Sequence, residues 1–169
     1  MKVGDLGEFG LIELLDRIVD QGTQEHVPLT HGFELLLSIG DDAAAWQSPK
    51  GVELATTDTM VEGVHFTKDT IPWRDLGWKA IVTNLSDIAA MGGAPLYALV
   101  TLGISQESEV ADIEQLYLGM IEACNKFQLR IIGGDIVHSP TTFITTCLTG
   151  SHISSPMTRS AAAPGDLIA

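Results

Sequence analysis

Four aspartates stand in four separate apolar stretches: Asp42 in IGDDAAAW, Asp58 in LATTDTMVEGVHF, Asp87 in NLSDIAAMGG and Asp135 in LRIIGGD. Apolar flanks predict burial of the backbone around each carboxylate, and carboxylates gathered in a dry site repel one another unless a cation joins them. An all-oxygen set with no His or Cys cluster beside it suits a hard divalent ion, magnesium rather than zinc. Thr56, Thr57 and Thr59 surround Asp58 with hydroxyls, an oxygen-rich patch that fits metal or phosphate. Asn84 precedes Asp87 by three residues, so the two project from neighbouring positions of one helix face, and a polar pair so close to a buried stripe needs partners. Gly133-Gly134-Asp135 directly after LRII reads as a strand-end turn whose backbone amides can approach a phosphate. Each motif also has a plainer reading. Asp41-Asp42 after Gly40 suits an ordinary turn, strand-end polar residues often face water, and a single His in a glycine-containing loop, such as His65, is commonly a surface residue.

Charge narrows the ligand class. Asp plus Glu number 22 against 9 Lys plus Arg, for a net charge of -13, which excludes a nucleic acid or an anionic membrane held by basic patches. Between Ile39 and Phe66 the sole Lys or Arg is Lys50, beside Asp41, Asp42, Glu53, Asp58 and Glu62, so a small phosphorylated ligand there needs metal to supply positive charge. No Ser, Cys or His has a convincing base partner, which favours direct transfer over a covalent intermediate on the protein. Cys124 falls in an expected helix and Cys147 in an expected strand, placements that suit reduced core residues rather than a disulfide framework. The N-terminal stretch mixes acidic with apolar residues, and no run reaches the roughly 18 apolar residues of a membrane span, so a cytoplasmic protein is expected.

The elements that must position these groups follow from periodicity. Leu11, Leu14, Leu15 and Ile18 predict a helix from about Gly7 to Gln21. Short strands are expected at Glu34 to Ile39, Ala43 to Gln47 and Val52 to Asp58, with Asp58 at a strand end. Trp73 to Met91 reads as a helix burying Trp78, Ile81, Val82, Leu85, Ile88 and Ala89, stopped by Gly92, Gly93 and Pro95. A strand at Leu96 to Ile104, a helix at Glu109 to Phe127, and strands at Leu129 to Gly133 and Thr142 to Ser151 complete the order. Strands before and between helices predict an α+β two-layer sandwich, a mixed sheet with helices on one face. Residues 1–150 form one domain in this reading. Residues 151–169 form a linker and, at Asp166 to Ala169, the first strand of a further domain.

Taken together, GEFGLIELL, IGDDAAAW, TTDTMVEGVHF, GWKAIVTNLSDIAAMGGAP, RIIGGD and TRSAAAPGD resemble, in order and spacing, the N-terminal half of the thiamine-monophosphate kinase family. That family belongs to the ATP-binding superfamily of aminoimidazole ribonucleotide synthetase, selenophosphate synthetase and the hydrogenase-maturation dehydratase. The resemblance implies ATP-dependent phosphorylation of thiamine monophosphate, with magnesium ions and a homodimer whose sheet edges pair into a barrel. It also implies that Asp42, Asp58, Asp87 and Asp135 are magnesium ligands, joined by Thr56 and Thr57. His65 would contact the thiamine phosphate, and Gly134, Asp135 and Arg159 the nucleotide. GDD, the helix aspartate and GGD recur across the superfamily, whereas TDTMVEGVHF and GEF point to the kinase. A purine-synthesis or hydrogenase-maturation homologue, or a non-catalytic dimerisation and metal-binding module, are the alternatives. Where the family continues GGD with Thr-Thr-Arg-Gly, this chain has Ile136-Val137-His138-Ser139, so the hydroxyl and Arg contacts expected there are lost or moved.

Overall fold

The computed structural model describes residues 1–23, 32–39, 43–48 and 51–167. In chain order the elements are α1 (Val3–Gly22), β1 (Glu34–Leu37), β2 (Ala45–Gln47), β3 (Val52–Val61), α2 (Trp73–Ala90), β4 (Ala94–Ile104), α3 (Val110–Phe127), β5 (Arg130–His138) and β6 (Phe143–His152). β1 and β2 make a separate antiparallel ribbon, and the other strands form one sheet in the order β3-β6-β4-β5. Only β4 and β5 run parallel, joined by α3 as the crossover that a parallel pair requires. The expected α+β class with a mixed sheet is found.

The β-branched run TTDT carries β3 past Asp58 as far as Val61, in unbroken antiparallel register with β6 from Val52↔His152 to Val61↔Phe143. Asp58 therefore lies inside a ten-residue strand and not at its end. Alternation gives β3 two chemistries. Leu54, Thr56, Asp58 and Met60 turn inward, and Glu53, Ala55, Thr57 and Thr59 stay exposed. Ile144 and Leu148 of β6 and Ala98, Val100, Leu102 and Ile104 of β4 enter the main core from the same side. The ribbon packs separately, with Trp46 against Tyr97 at a ring separation of 5.2 Å, over Leu96 and Ile132.

α2 is covered on a second side by α3, so its buried face is broader than a single stripe. Leu76, Gly77 and Ala80 are buried while Ala89, expected inside, is exposed, and Trp78 and Val82 are partly buried. The helices approach through glycines. A Cβ on Gly77 would lie 1.8 Å from the Leu116 carbonyl oxygen, and one on Gly119 would lie 1.8 Å from that of Arg74. The Arg74 guanidinium closes the same crossing on Glu122, Nε to Oε2 3.0 Å.

Two boundaries differ from expectation for identifiable reasons. α1 begins before Gly7, because Val3 N donates to Ser108 O and Gly4 N to Gln106 O at 2.9 Å, with Gly7 (φ 68°) as a kink inside it. β5 runs straight through Gly133 and Gly134, which are therefore not a strand-end turn. A Cβ at Gly134 would lie 1.9 Å from the Val100 carbonyl oxygen, so glycine there allows β5 to approach β4. Beyond His152 the chain is irregular. Asp166 N donates to Ala163 O at 3.1 Å and Asp166 Oδ2 accepts from Ala163 N at 2.7 Å, closing a turn at Pro164 and Gly165, and the strand expected at Asp166 to Ala169 runs into residues 168 and 169, outside the described residues. No helix among the described residues is long and apolar enough to cross a membrane.

Gly119→Ala forces α2 and α3 apart at a backbone-to-backbone contact. Overpacking of this kind costs about 1–3 kcal/mol, so the thermal midpoint should fall by several degrees. Gly10→Ala, whose Cβ would meet only the Leu6 side chain at 3.4 Å or more, should shift it far less.

Candidate active site

α2 lies antiparallel to β3, held at two points. Near one end Thr56 Oγ1 donates to Asp87 Oδ2 at 2.6 Å. Near the other, Lys79 Nζ donates to the carbonyl oxygen of His65, just beyond β3, at 3.3 Å. A hydroxyl donating to a carboxylate is one of the stronger hydrogen bonds available, and this one joins two of the chemistry-bearing motifs. Asp58 follows Thr56 on the same face of β3, one strand repeat or about 6.6 Å along. Its register partner on β6 is Thr146. Asn84 precedes Asp87 by one helical turn and is buried, its Nδ2 donating to Ala80 O at 3.3 Å.

The donor set on this patch consists of oxygens: two carboxylates and the Thr56 hydroxyl, with the buried Asn84 Oδ1 and Thr146 Oγ1, which have no hydrogen-bond partner among the described residues, on the same elements. Carboxylates that share a face with no ion pair among the described residues are what a hard cation with its bound waters satisfies, so Asp58, Asp87 and Thr56 fit magnesium. Thr57 lies on the other face of β3, opposite Cys147, and Thr59 Oγ1 pairs with Thr145 Oγ1 at 2.8 Å there. The hydroxyl cluster around Asp58 is therefore divided between two faces.

Asp135 is not part of the patch. It lies on β5, across the row Thr59, Thr145, Thr101, Asp135, three strand spacings or roughly 14 Å from β3, and it is exposed. It shares the sheet face of its register partner Thr101, opposite to that of Asp58. Among the described residues no three His, Cys, Asp or Glu come together. Among the described residues, Asp87 thus stands at Thr56 on the face that carries Asp58, and Asp135 stands apart from both. Asp42, with Gly40 and Asp41, lies outside the described residues. Arg159 is exposed in the tail, which is tied to the body by Met157 N donating to Met91 O at 3.0 Å.

The loop after β3 is built to present His65. Gly63 (φ 80°) turns the chain, its N–H donating to Phe66 O at 2.8 Å, and His65 N donates to Val61 O at 2.9 Å. Val61 N donates to His65 Nδ1 at 3.1 Å. With Nδ1 accepting, the neutral ring carries its proton on Nε2, a donor turned away from the backbone. Buried Phe66 anchors the loop's end. Burial alone raises the pKa of the Glu62 carboxyl, but Lys68 at 2.9 Å and Thr142 outweigh it and hold the group below its ordinary value. Two residues here escaped sequence reasoning. Lys79 carried a legible signal, a cation eight residues before Asp87 on the same helix of an acidic chain. Thr146 carried none, since only strand register places it beside Asp58.

The AIR synthase related protein, N-terminal domain, matches residues 40–152. The chain belongs to this family. The AIR synthase related domain here is 36% identical over 150 residues to a thiamine-monophosphate kinase of Aquifex aeolicus, covering 89% of this chain and 44% of the relative. A solved thiamine monophosphate kinase from the same organism superposes with a TM-score of 0.65 at 32% identity, covering 98% of this chain and 48% of the other. A further structure, described as AaThiL complexed with AMPPCP and TMP, superposes at 0.59 with 34% identity, over 89% and 44%. The chain spans less than half the length of these relatives.

Magnesium should raise the thermal midpoint of this chain, since a ligand held a hundredfold above its dissociation constant adds about 2.7 kcal/mol. Asp58→Asn should remove most of that shift and Thr56→Val part of it, read from melts with and without millimolar magnesium. An unchanged shift in Asp58→Asn would place the cation elsewhere.

Proposed function

We propose that this chain is the nucleotide- and magnesium-binding part of an ATP-dependent kinase that converts thiamine monophosphate to thiamine diphosphate. The observation that carries the proposal is the Asp58, Thr56 and Asp87 patch, with the His65 loop at the other end of the same α2–β3 contact, in a chain 36% identical to a thiamine-monophosphate kinase. A relative solved with AMPPCP, an ATP analogue, and TMP supports ATP as co-substrate.

The acceptor is itself a phosphate, so the reaction must bring two anions together. One acceptor oxygen attacks the γ-phosphorus of ATP, the bond to the bridging oxygen breaks, and ADP leaves. Nothing in this requires a protein nucleophile, and catalysis reduces to positioning and charge neutralisation. Magnesium, when bound, supplies the positive charge that the acidic chain lacks. On this reading Asp58, Asp87 and Thr56 would hold it together with Asp42, while Thr57 and Asp135 would serve a second cation on the opposite face of the sheet, and Gly134, Asp135 and Arg159 would meet the nucleotide. His65 Nε2–H donates to the acceptor phosphate, oriented by the Val61 amide behind it, and the Lys79 ammonium adds charge at the main chain of the same loop.

The homodimer belongs to the same proposal. β3 and β5 are the open edges of the sheet, and the face away from the helices bears Thr57, Thr59, Thr145, Cys147 and the exposed Leu99. Pairing those edges with a second copy closes a barrel and removes both edges. Light scattering should return a dimer at micromolar concentration. Cys147 should react slowly with a thiol reagent in the dimer and faster on dilution, while Cys124, whose thiol burial pushes up to about 12, stays unreactive in the folded chain. A monomer at micromolar concentration would exclude this assembly.

Phosphoryl transfer from ATP to thiamine monophosphate by the protein that carries this chain is the direct test. Loss of a hydrogen bond to a charged group costs about 1.5–3 kcal/mol, so His65→Ala should raise KM for thiamine monophosphate by at least about tenfold and leave KM for ATP nearly unchanged. Asp87→Asn should abolish turnover with both substrates saturating. Equal effects of His65→Ala on both KM values would remove His65 from the acceptor pocket.

A further inference from the structure

We infer that Asn84 and Thr146 are positioning residues of the Asp58 and Asp87 site, holding between them a buried water that is turned toward Asp58. The inference rests on the magnesium reading above and extends it to side chains that do not touch the cation.

Asn84 is 0% exposed and Thr146 1%, yet among the described residues Asn84 Oδ1 and Thr146 Oγ1 have no hydrogen-bond partner. Leaving such an oxygen unmatched is costly, and folded proteins leave few of them without a water, an ion or a function. Hydrophobic residues of similar volume would fill both positions without that cost. Strand register and helix rise set the two residues toward one place. Thr146 is the register partner of Asp58, so their Cβ atoms lie on one face about 5 Å apart. α2 crosses that face antiparallel to β3, with Asp87 at Thr56. Three residues back along the helix is about 4.5 Å, between one and two strand residues, which sets Asn84 over the Asp58 and Thr146 pair. Ile144 and Leu148 flank Thr146 on its face, and Ile81 and Ile88 flank Asn84, apolar neighbours that supply no donor to either oxygen.

The chemistry of the gap selects its occupant. Asn84 Oδ1 and an ionised Asp58 only accept, and Thr146 can donate once. A water fits this set: it accepts from the Thr146 hydroxyl and donates one proton to Asn84 Oδ1 and the other to Asp58, about the number of bonds a buried water makes. The cation does not fit there. Magnesium sheds its hydration reluctantly, and Asp58 is half-buried while Asp87 is exposed, so the ion belongs at the rim with the water behind it.

The test uses Mn2+ alone as probe, its free concentration read by electron paramagnetic resonance, on wild type, Thr146→Val, Thr146→Ser and Asn84→Leu, alongside metal-free melts. Outer-shell groups of this kind alter metal affinity about 10–100-fold, so Thr146→Val and Asn84→Leu should weaken Mn2+ binding at least about tenfold. Thr146→Ser, which keeps the hydroxyl, should bind like wild type. Metal-free Thr146→Val should melt no lower than wild type, which separates lost affinity from lost fold. Should Asn84→Leu fail to fold, the Val and Ser pair decides. Wild-type affinity in a folded Thr146→Val overturns the inference while leaving the magnesium reading intact. A wild-type chain that binds no Mn2+ overturns the magnesium reading and this inference with it.

Discussion

The hydrogen bond from the Thr56 hydroxyl to the Asp87 carboxylate sets how α2 lies on β3, and the two carboxylates that share a face meet only through that placement. A slip of α2 by one residue would rotate Asp87 by about 100° about the helix axis and carry it off the strand. Two further contacts prevent the slip. Behind α2, Gly77 and Gly119 let backbone meet backbone with no space for a side chain, a fit that tolerates one register. In front, Lys79 reaches the His65 carbonyl. The helix is thus fixed by a steric lock in its first turns and by polar contacts at Lys79 and Asp87 further along.

Much of this patch was readable because its periods are local. Alternation along LATTDTMV assigns Thr56 and Asp58 to one face whether or not the rest of the fold is known, and the spacing of Asn84 and Asp87 assigns them to neighbouring positions of a helix. Strand order is not local. Asp135 looked equivalent to Asp58 because both follow apolar β-branched runs, yet the order β3-β6-β4-β5 sends them to opposite edges, and alternation sends them to opposite faces. Glycine misled for a related reason. It punctuates turns in most sequences, but at Gly134 what it supplies is the absence of a Cβ against the Val100 carbonyl, a tertiary fact with no local signature.

Burial of polar groups was the least legible feature. FITTCLTGSH reads as a strand with hydroxyls on both faces, and nothing in it says that Thr146 is sealed under α2 while Thr145 meets Thr59 on the open side. Threonine suits a strand through its β-branch and is amphipathic enough to face either water or core, so alternation leaves its side undecided. Only the register with β3 shows that this hydroxyl stands next to a carboxylate.

Cation placement depends on tertiary context in the same way, in a chain of net charge -13. Lys2 pairs with Glu109, Lys68 with Glu62 and Arg74 with Glu122, each joining segments distant in sequence or bracing a loop. Lys79 differs, since its contact is the neutral main-chain carbonyl of His65, with no carboxylate paired to it among the described residues. On the proposed function that difference has a cause. A triphosphate approaching this surface meets repulsion from the carboxylates at every step unless magnesium travels with it, because the Debye length of about 8 Å at physiological salt leaves near charges unscreened. The acceptor, carrying no triphosphate to bring its own metal, would need a positive charge already in place where it docks, and on the proposed function Lys79, held at the main chain of the His65 loop, would supply it.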